Sequence, residues 1–313
     1  MSQPQNPQHQ DRYPYSPIVD RPKLEWPNGA RVAVWVIPNI EHFLFDRPST
    51  SVTPVTTSLV PDVLNYSWRD YGVRVGIWRL MEVMQKHGVK GTVALNSDVC
   101  EFYPRIIEEA NKLGWEWMGH GNNNSTLINR QSEQEERALL GDVVKTIRNK
   151  TGQQPRGWLS PALSESHRTL DILAELGIEY VGNWVNDEQP YPMRVKSGSM
   201  LSMPYSIEIN DIPAFLDMKQ DGETFKKMIC DQFDVLYEDG KKTGRVMAIA
   251  LHPFLIGHPH RSRHFDQALE YITSRQEVWV TTGGEINRHY RQRYMANNSG
   301  SGSSLFFGSV DRN

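Results

Sequence analysis

Cysteine is scarce. Cys100 and Cys230 lie far apart, so neither a disulfide framework nor a C-x-x-C metal or redox pair is available. No apolar run approaches the length of a membrane span. The stretch Met1 to Asp20 lacks the charged start and apolar centre of a signal peptide, and the sequence is read as cytoplasmic. No long basic block is present and the formal net charge is −3, so neither a nucleic-acid partner nor a membrane surface is expected. A GxSxG elbow, a P-loop, an HExxH helix, an EF-hand loop and a GxGxxG after a strand are all missing. Their absence removes support for serine-hydrolase, nucleotide, zinc-peptidase, calcium and dinucleotide chemistry. No repeat of solenoid length occurs.

What remains is an ordinary globular composition, 38% hydrophobic and 23% charged. Residues 1–21 read as an irregular arm rich in proline and polar residues. Residues 297–313 read as a flexible Gly/Ser tail whose Leu305-Phe306-Phe307 could dock on a neighbouring surface. Between them, residues 22–296 alternate strand and helix signals. Arg31–Ile37 is a short apolar run, read as a buried strand. Gly76–His87 carries Ile77, Leu80, Met81 and Met84 at the spacing of one helical face. Gly91–Leu95 is strand-like, Tyr103–Leu113 helical and Trp115–Met118 a strand. Ser132 and Glu135 form a capping-box pattern that opens a helix. Thr224–Tyr237 is a strong amphipathic helix, Arg245–Leu251 an almost continuous apolar strand and Val278–Thr281 another. Roughly seven such alternations predict an α/β fold with a parallel sheet and outer helices; closure into a barrel would leave no strand edge exposed, and an open doubly wound sheet is the alternative.

Polar residues recur where the predicted strands end, which is where parallel α/β folds build their sites. Glu41 and His42 follow the first strand. A carboxylate there could be a general base; the pair could also be a surface Glu–His contact. His120 stands between two glycines and could bind a metal, donate a proton or hold its loop. Asn122, Asn123 and Asn124 supply neutral amides, suited to recognising amide or urea groups and poor as transition-metal ligands. His252 closes the most apolar strand, either as a packed group or as a general acid aimed into a site. His258, His260 and Arg261, in a Gly/Pro loop, read as solvent-facing or lid residues. In Pro204–Asp211, Tyr205 and Asn210 could bind a polar substrate, while Asn210-Asp211 also reads as a turn.

These segments together resemble the polysaccharide deacetylase (NodB-homology) superfamily, in its allantoinase-like and cyclic imidase-like branch. The resemblance runs from about Pro22 to Arg291. It rests on Arg69-Asp70-Tyr71-Gly72-Val73-Arg74-Val75-Gly76, Trp115 to Gly121, Asn186 to Tyr191, Pro204 to Asp211 and Leu251 to Gly257. It implies a distorted (β/α) barrel. The superfamily's adjacent base and metal ligand correspond to Glu41 and His42. Its H-x-x-x-H pair corresponds to His120 and Asn124, so the second histidine is replaced by an amide. Arg156 and Pro161 stand near its third motif with altered spacing. Leu251-His252 matches its last.

The resemblance implies a hydrolase acting on a non-peptide carbon–nitrogen bond, with Glu41 as base, His120 facing the oxyanion and His252 protonating the leaving nitrogen. The expected reaction is ring opening of a small cyclic amide or imide of the allantoin or hydantoin kind. Arg74, Asn124, Trp184, Asn186 and Asn210 are candidates for holding the substrate. No cofactor is expected, because relatives that lost the same histidine work without metal. Zn²⁺ or another divalent ion, held by His42, His120 and Asn124, is the alternative. With it goes a metal-dependent deacetylase of an N-acetylated sugar; a third reading is a non-catalytic barrel that binds a small ligand. A homo-oligomer, with the arm around a neighbouring subunit, is suggested by family analogy.

Overall fold

The computed structural model describes residues 10–47, 54–56 and 58–295. The Gly/Ser tail, with its Leu305-Phe306-Phe307, lies outside the described residues, as do the first nine residues of the arm and part of the loop between Phe43 and Leu64.

Nine strands form one sheet among the described residues. They are β1 (Val32–Ile40), β2 (Thr92–Leu95), β3 (Glu116–Gly119), β4 (Gly157–Trp158), β5 (Tyr180–Val181), β6 (Tyr191–Met193), β7 (Met200–Ser202), β8 (Arg245–Leu251) and β9 (Val278–Thr281). Only β6 runs antiparallel to its neighbour. The expected barrel of roughly seven parallel strands is thus found with eight, the added pair β6 and β7 being too short to carry a periodic signal.

The strand order is β6-β7-β5-β4-β3-β2-β1-β8, and β9 also pairs with β1. β1 is forked. One edge pairs with β8 from Val32 to Pro38. The other pairs with β9 from Val32 to Trp35 and with β2 only at Asn39 and Ile40. Among the described residues no strand pair joins β7 to β8. Backbone from two loops bridges that seam: Val246 N–H donates to Glu188 O at 2.8 Å, and Ala250 N–H to Ile209 O at 3.0 Å. This seam is the distortion of the barrel.

The pleat divides the core in two. Val32, Val34 and Val36 pack outward against helices. Ala33, Trp35 and Ile37 pack inward with Met118, Tyr180, Met203 and Tyr205. The interior is therefore filled with side chains, not a pore. The helices are α1 (Val63–Tyr71), α2 (Ile77–Lys86), α3 (Ser97–Phe102), α4 (Pro104–Lys112), α5 (Glu133–Thr151), α6 (Thr169–Glu175), α7 (Gly222–Asp239), α8 (Pro253–Ile256), α9 (Pro259–Thr273) and α10 (Gly283–Tyr290). The Ser132–Glu135 capping box is formed at the start of α5. A π-turn over Gly72–Gly76 joins α1 to α2. A Cβ on Gly76 would lie 2.0 Å from Pro253 O, so glycine there lets α2 approach the segment that carries His252.

The described part of the arm is irregular apart from a 3₁₀ turn at Ile18–Asp20. It packs on its own chain. Arg12 pairs with Asp171 at 3.0 Å and Arg21 with Asp187 at 2.6 Å. It roofs a cavity of about 1180 Å³ over the seam, bordered by Tyr13, Arg21, Asn186, Tyr191, Tyr205 and Tyr290.

Candidate active site

Three strand ends deliver the central groups. β1 ends at Ile40 and places Glu41 next, β3 ends at Gly119 and places His120, and β8 ends at Leu251 and places His252. His120 Nε2 and His252 Nε2 each lie 3.5 Å from the same oxygen, Glu41 Oε1. All three side chains are 4–5% exposed. At that length the contacts are those of charge rather than good hydrogen bonds. Glu41 Oε2 and His120 Nε2 are buried with no hydrogen-bond partner among the described residues. Two buried polar atoms without a protein partner, one on the carboxylate and one on an imidazole beside it, are the groups a reacting carbonyl and a water could satisfy.

The backs of the imidazoles are fixed. His120 Nδ1 donates to the carbonyl of Leu159, and His120 N–H donates to Leu95 O at 3.0 Å. Gly121 follows with φ 66°, a left-handed conformation that glycine adopts without strain. His252 Nδ1 donates to Asp211 Oδ1 at 2.7 Å, and His252 N–H donates to Asp211 Oδ2 at 2.8 Å. Asp211 is fully buried. Glu41 is held by Asn124, whose amide nitrogen donates to Oε1. Asn96 in turn donates to Asn124 Oδ1 at 3.0 Å, donates to His120 O, and accepts from His42 N–H at 2.8 Å.

Burial alone would push the Glu41 carboxyl up, but the charges of His252 and His120 more than offset it and hold it below the ordinary range. Burial pushes the His252 imidazole down, yet Asp211 and Glu41 outweigh it and hold it up at about 9. Burial pushes Asp211 up, against the pull of His252. With Nδ1–H committed to Asp211, the proton that comes and goes is the one on His252 Nε2. At neutral pH the site therefore contains an ionised carboxylate beside a protonated imidazole, a base and an acid set apart by their surroundings.

The other expected residues divide. Asn124 is at the centre, but as a clamp on Glu41. Asn210 is buried nearby; its Oδ1 accepts from Ile212 N–H at 3.0 Å and its Nδ2 approaches Tyr205 OH at 3.4 Å. Arg74 is corrected: its side chain is 75% exposed and pairs with Asp70, because the π-turn carries it to the outer face of the helix pair. Arg69 from the same motif is buried instead. Trp184 and Asn186 are engaged by the N-terminal arm. Trp184 packs edge-on against Tyr13 at 5.4 Å, and Asn186 donates to Tyr13 OH at 2.8 Å, so both hold the arm. Arg156 pairs with Glu179 at the opposite end of the barrel. His258 stacks on Tyr71 at 4.1 Å and is not a free lid group.

Sequence reasoning missed Asp211 and Asn96. Asp211 had been read with Asn210 as turn-forming, and its bond to an imidazole 41 residues away left no local mark. Asn96 directly follows the strand-like GTVAL, the same signal that singled out Glu41 and His120.

The alternative metal set of His42, His120 and Asn124 does not fit a divalent ion. The His42 imidazole stacks on Phe102 at 4.6 Å and lies 3.4 Å from Tyr103 OH. The Asn124 amide is engaged at both ends. Among the described residues no three His, Cys, Asp or Glu side chains are gathered to hold a metal.

An α/β barrel whose strand ends bring together a buried carboxylate, two imidazoles and an orienting aspartate defines a hydrolase of carbon–nitrogen bonds. Comparison with known proteins agrees. Residues 66–181 match the polysaccharide deacetylase family model, a stretch that includes His120 but neither Glu41 nor His252. A Schizosaccharomyces pombe protein bearing the polysaccharide deacetylase name is 27% identical over 302 residues, covering 86% of this chain and 93% of its own. A peptidoglycan deacetylase of Helicobacter pylori is 25% identical over 241 residues, covering 66% and 81%. The crystal structure of a Pseudomonas aeruginosa PAO1 protein described as a polysaccharide deacetylase superposes with TM-score 0.79 at 26% identity, covering 88% of this chain and 95% of that one. The Puue allantoinase shares the fold, with TM-score 0.80 at 24% identity and the same coverage. Over residues 66–181 the chain carries a stretch that matches the polysaccharide deacetylase family, and over most of its length it is similar to proteins of that name. No described helix is long and apolar enough to cross a membrane.

Proposed function

We propose that the protein opens a small cyclic amide or imide by metal-free hydrolysis. The observation that carries this reading is the enclosed cluster: one carboxylate oxygen 3.5 Å from two imidazole nitrogens, every side chain 4–5% exposed. So deep a centre suits a small ring better than a long polymer, which needs an open groove.

Glu41 takes a proton from water as the oxygen attacks the carbonyl carbon. The carbonyl oxygen becomes an oxyanion facing His120 Nε2, which stabilises it when it carries a proton. As the tetrahedral centre collapses, the carbon–nitrogen bond breaks and His252 Nε2 gives its proton to the nitrogen. Asp211 keeps that imidazole oriented and charged. The new carboxylic acid releases its proton to solvent as the carboxylate, and the proton on Glu41 passes to His252, which resets the pair.

A second reading is removal of an acetyl group from an N-acetylated sugar; the names of the relatives favour it. Turnover of hydantoin, succinimide, allantoin and an N-acetylglucosamine oligomer, each with and without chelator, tests both. Chelator-resistant hydrolysis of a ring supports the first. Chelator-sensitive release of acetate alone supports the second, and no turnover of any compound points to a non-catalytic binder.

A further inference from the structure

Arg69, on α1, is 7% exposed. Its guanidinium lies 3.9 Å over the ring of Phe43 and 5.0 Å over that of Phe254, with Trp68 at 5.9 Å. Phe43 stands two residues beyond Glu41, and Phe254 two beyond His252. The segments that deliver the base and the acid therefore also deliver the aromatic clamp. Trp68 packs edge-on against Phe254 at 5.0 Å and closes the box.

Burying a guanidinium is costly, and aromatic faces offset only part of that cost. The rings crowd the group and restrict its movement. Its N–H donors lie in the guanidinium plane, in a fork matched to carbonyl and carboxylate oxygens. With five donors the group can be held from within the protein and still offer some of them to a ligand. Arg69 also feels the charge of Glu41, which places it within electrostatic reach of the reacting carboxylate.

We infer that Arg69 is the substrate anchor, receiving the ring carbonyl that is not under attack and so selecting cyclic imides and ureides over lactams, which have a single carbonyl. This deepens the ring-opening reading and rests on it. The lactam lacks an oxygen for the fork, so the anchor contributes nothing to its binding. Removing the fork costs the imide alone.

The test uses the full chain and two rings of equal size, succinimide and 2-pyrrolidinone. Succinimide KM and the inhibition constant of 2-pyrrolidinone are compared in wild type, Arg69→Met and Arg69→Lys. Arg69→Met is expected to raise the succinimide KM by about tenfold or more, and to leave the lactam constant within about twofold. Arg69→Lys keeps a charge without the planar fork and should fall between. It also serves if the methionine variant fails to fold, which thermal melting will show. Equal loss for both rings, or none, overturns the anchor. If wild type turns over none of succinimide, hydantoin and allantoin, the ring-opening reading fails separately. Calorimetric titration of succinimide then decides the anchor: binding that weakens in the variants supports it, while unchanged binding, or none to wild type, overturns it.

Discussion

Two carboxylates, Glu41 with a buried side chain and Glu116 half-buried, stand at opposite ends of the same barrel. Glu41 follows the end of β1 and faces two imidazoles. Glu116 opens β3, where it accepts from Gly284 N–H at 2.9 Å, Thr92 Oγ1 at 3.1 Å and Tyr180 OH at 3.3 Å. Burial pushes both upward. At Glu41 the charged partners reverse the shift. At Glu116 the neutral donors only reduce it, and the group stays raised. The difference teaches that burial does not determine what a carboxylate does; the charge of its partners does. Glu41 is poised to take a proton in a reaction. Glu116 closes the N-terminus of α10 onto the sheet and is structural.

The strongest way to break this comparison is to neutralise each carboxylate in turn. Glu41→Gln is expected to lower kcat/KM about a thousandfold with the fold retained, as loss of a general base does. Steady-state kinetics and circular dichroism check it, and a loss under tenfold would remove Glu41 as the base.

Asp211→Asn comes next. Asp211 positions His252 and supports its charge, so kcat/KM should fall about a hundredfold. His252 must be protonated to act, so activity declines as pH rises through its value of about 9. Removing the negative partner lowers that value, and the alkaline limb of the pH–rate profile should move to lower pH. An unmoved limb would remove Asp211 as the support of the His252 charge.

Glu116→Gln should change kcat/KM by less than about twofold but alter the pH dependence of stability. The folded-state pKa of Glu116 lies above its ordinary value of 4.5, so the folded protein holds the extra proton. Wild-type stability therefore declines as pH rises from that ordinary value through the raised one. The glutamine cannot titrate and lacks this decline. Denaturant unfolding across the acid-to-neutral range should show the variant gaining on wild type with rising pH. Smallest of all, exhaustive dialysis against chelator should leave ring opening within about twofold of the untreated rate, given that Asn124 and His42 are engaged elsewhere.

The sequence was most informative where chemistry and local pattern coincide. β8 and β9 fall on the apolar runs that announced them, and β8, buried on both faces, carries its signal in every residue. Glu41, His120 and His252 were recognisable for the same reason: each follows such a run. Failures came where position depends on distant chain. Arg69 and Arg74 share one helical motif, and only the phase of the π-turn decides which is buried. Trp184 and Asn186 sit on the correct rim but are taken up by an arm whose path no local pattern reveals. Asp211 carried a turn signal that its neighbour Asn210 fulfils, which masked its own partner.

The fork in β1 has a bearing on how the molecule is made. Its neighbours on the two edges, β8 and β9, are synthesised more than two hundred residues later. Contacts so distant in the chain form slowly, since loop closure comes before any gain from pairing. On the ribosome the first strand therefore waits, unpaired along most of its length, until nearly the whole polypeptide has emerged. The nascent chain cannot set its catalytic base until then, and truncated products would carry an exposed apolar β1, a natural target for chaperones.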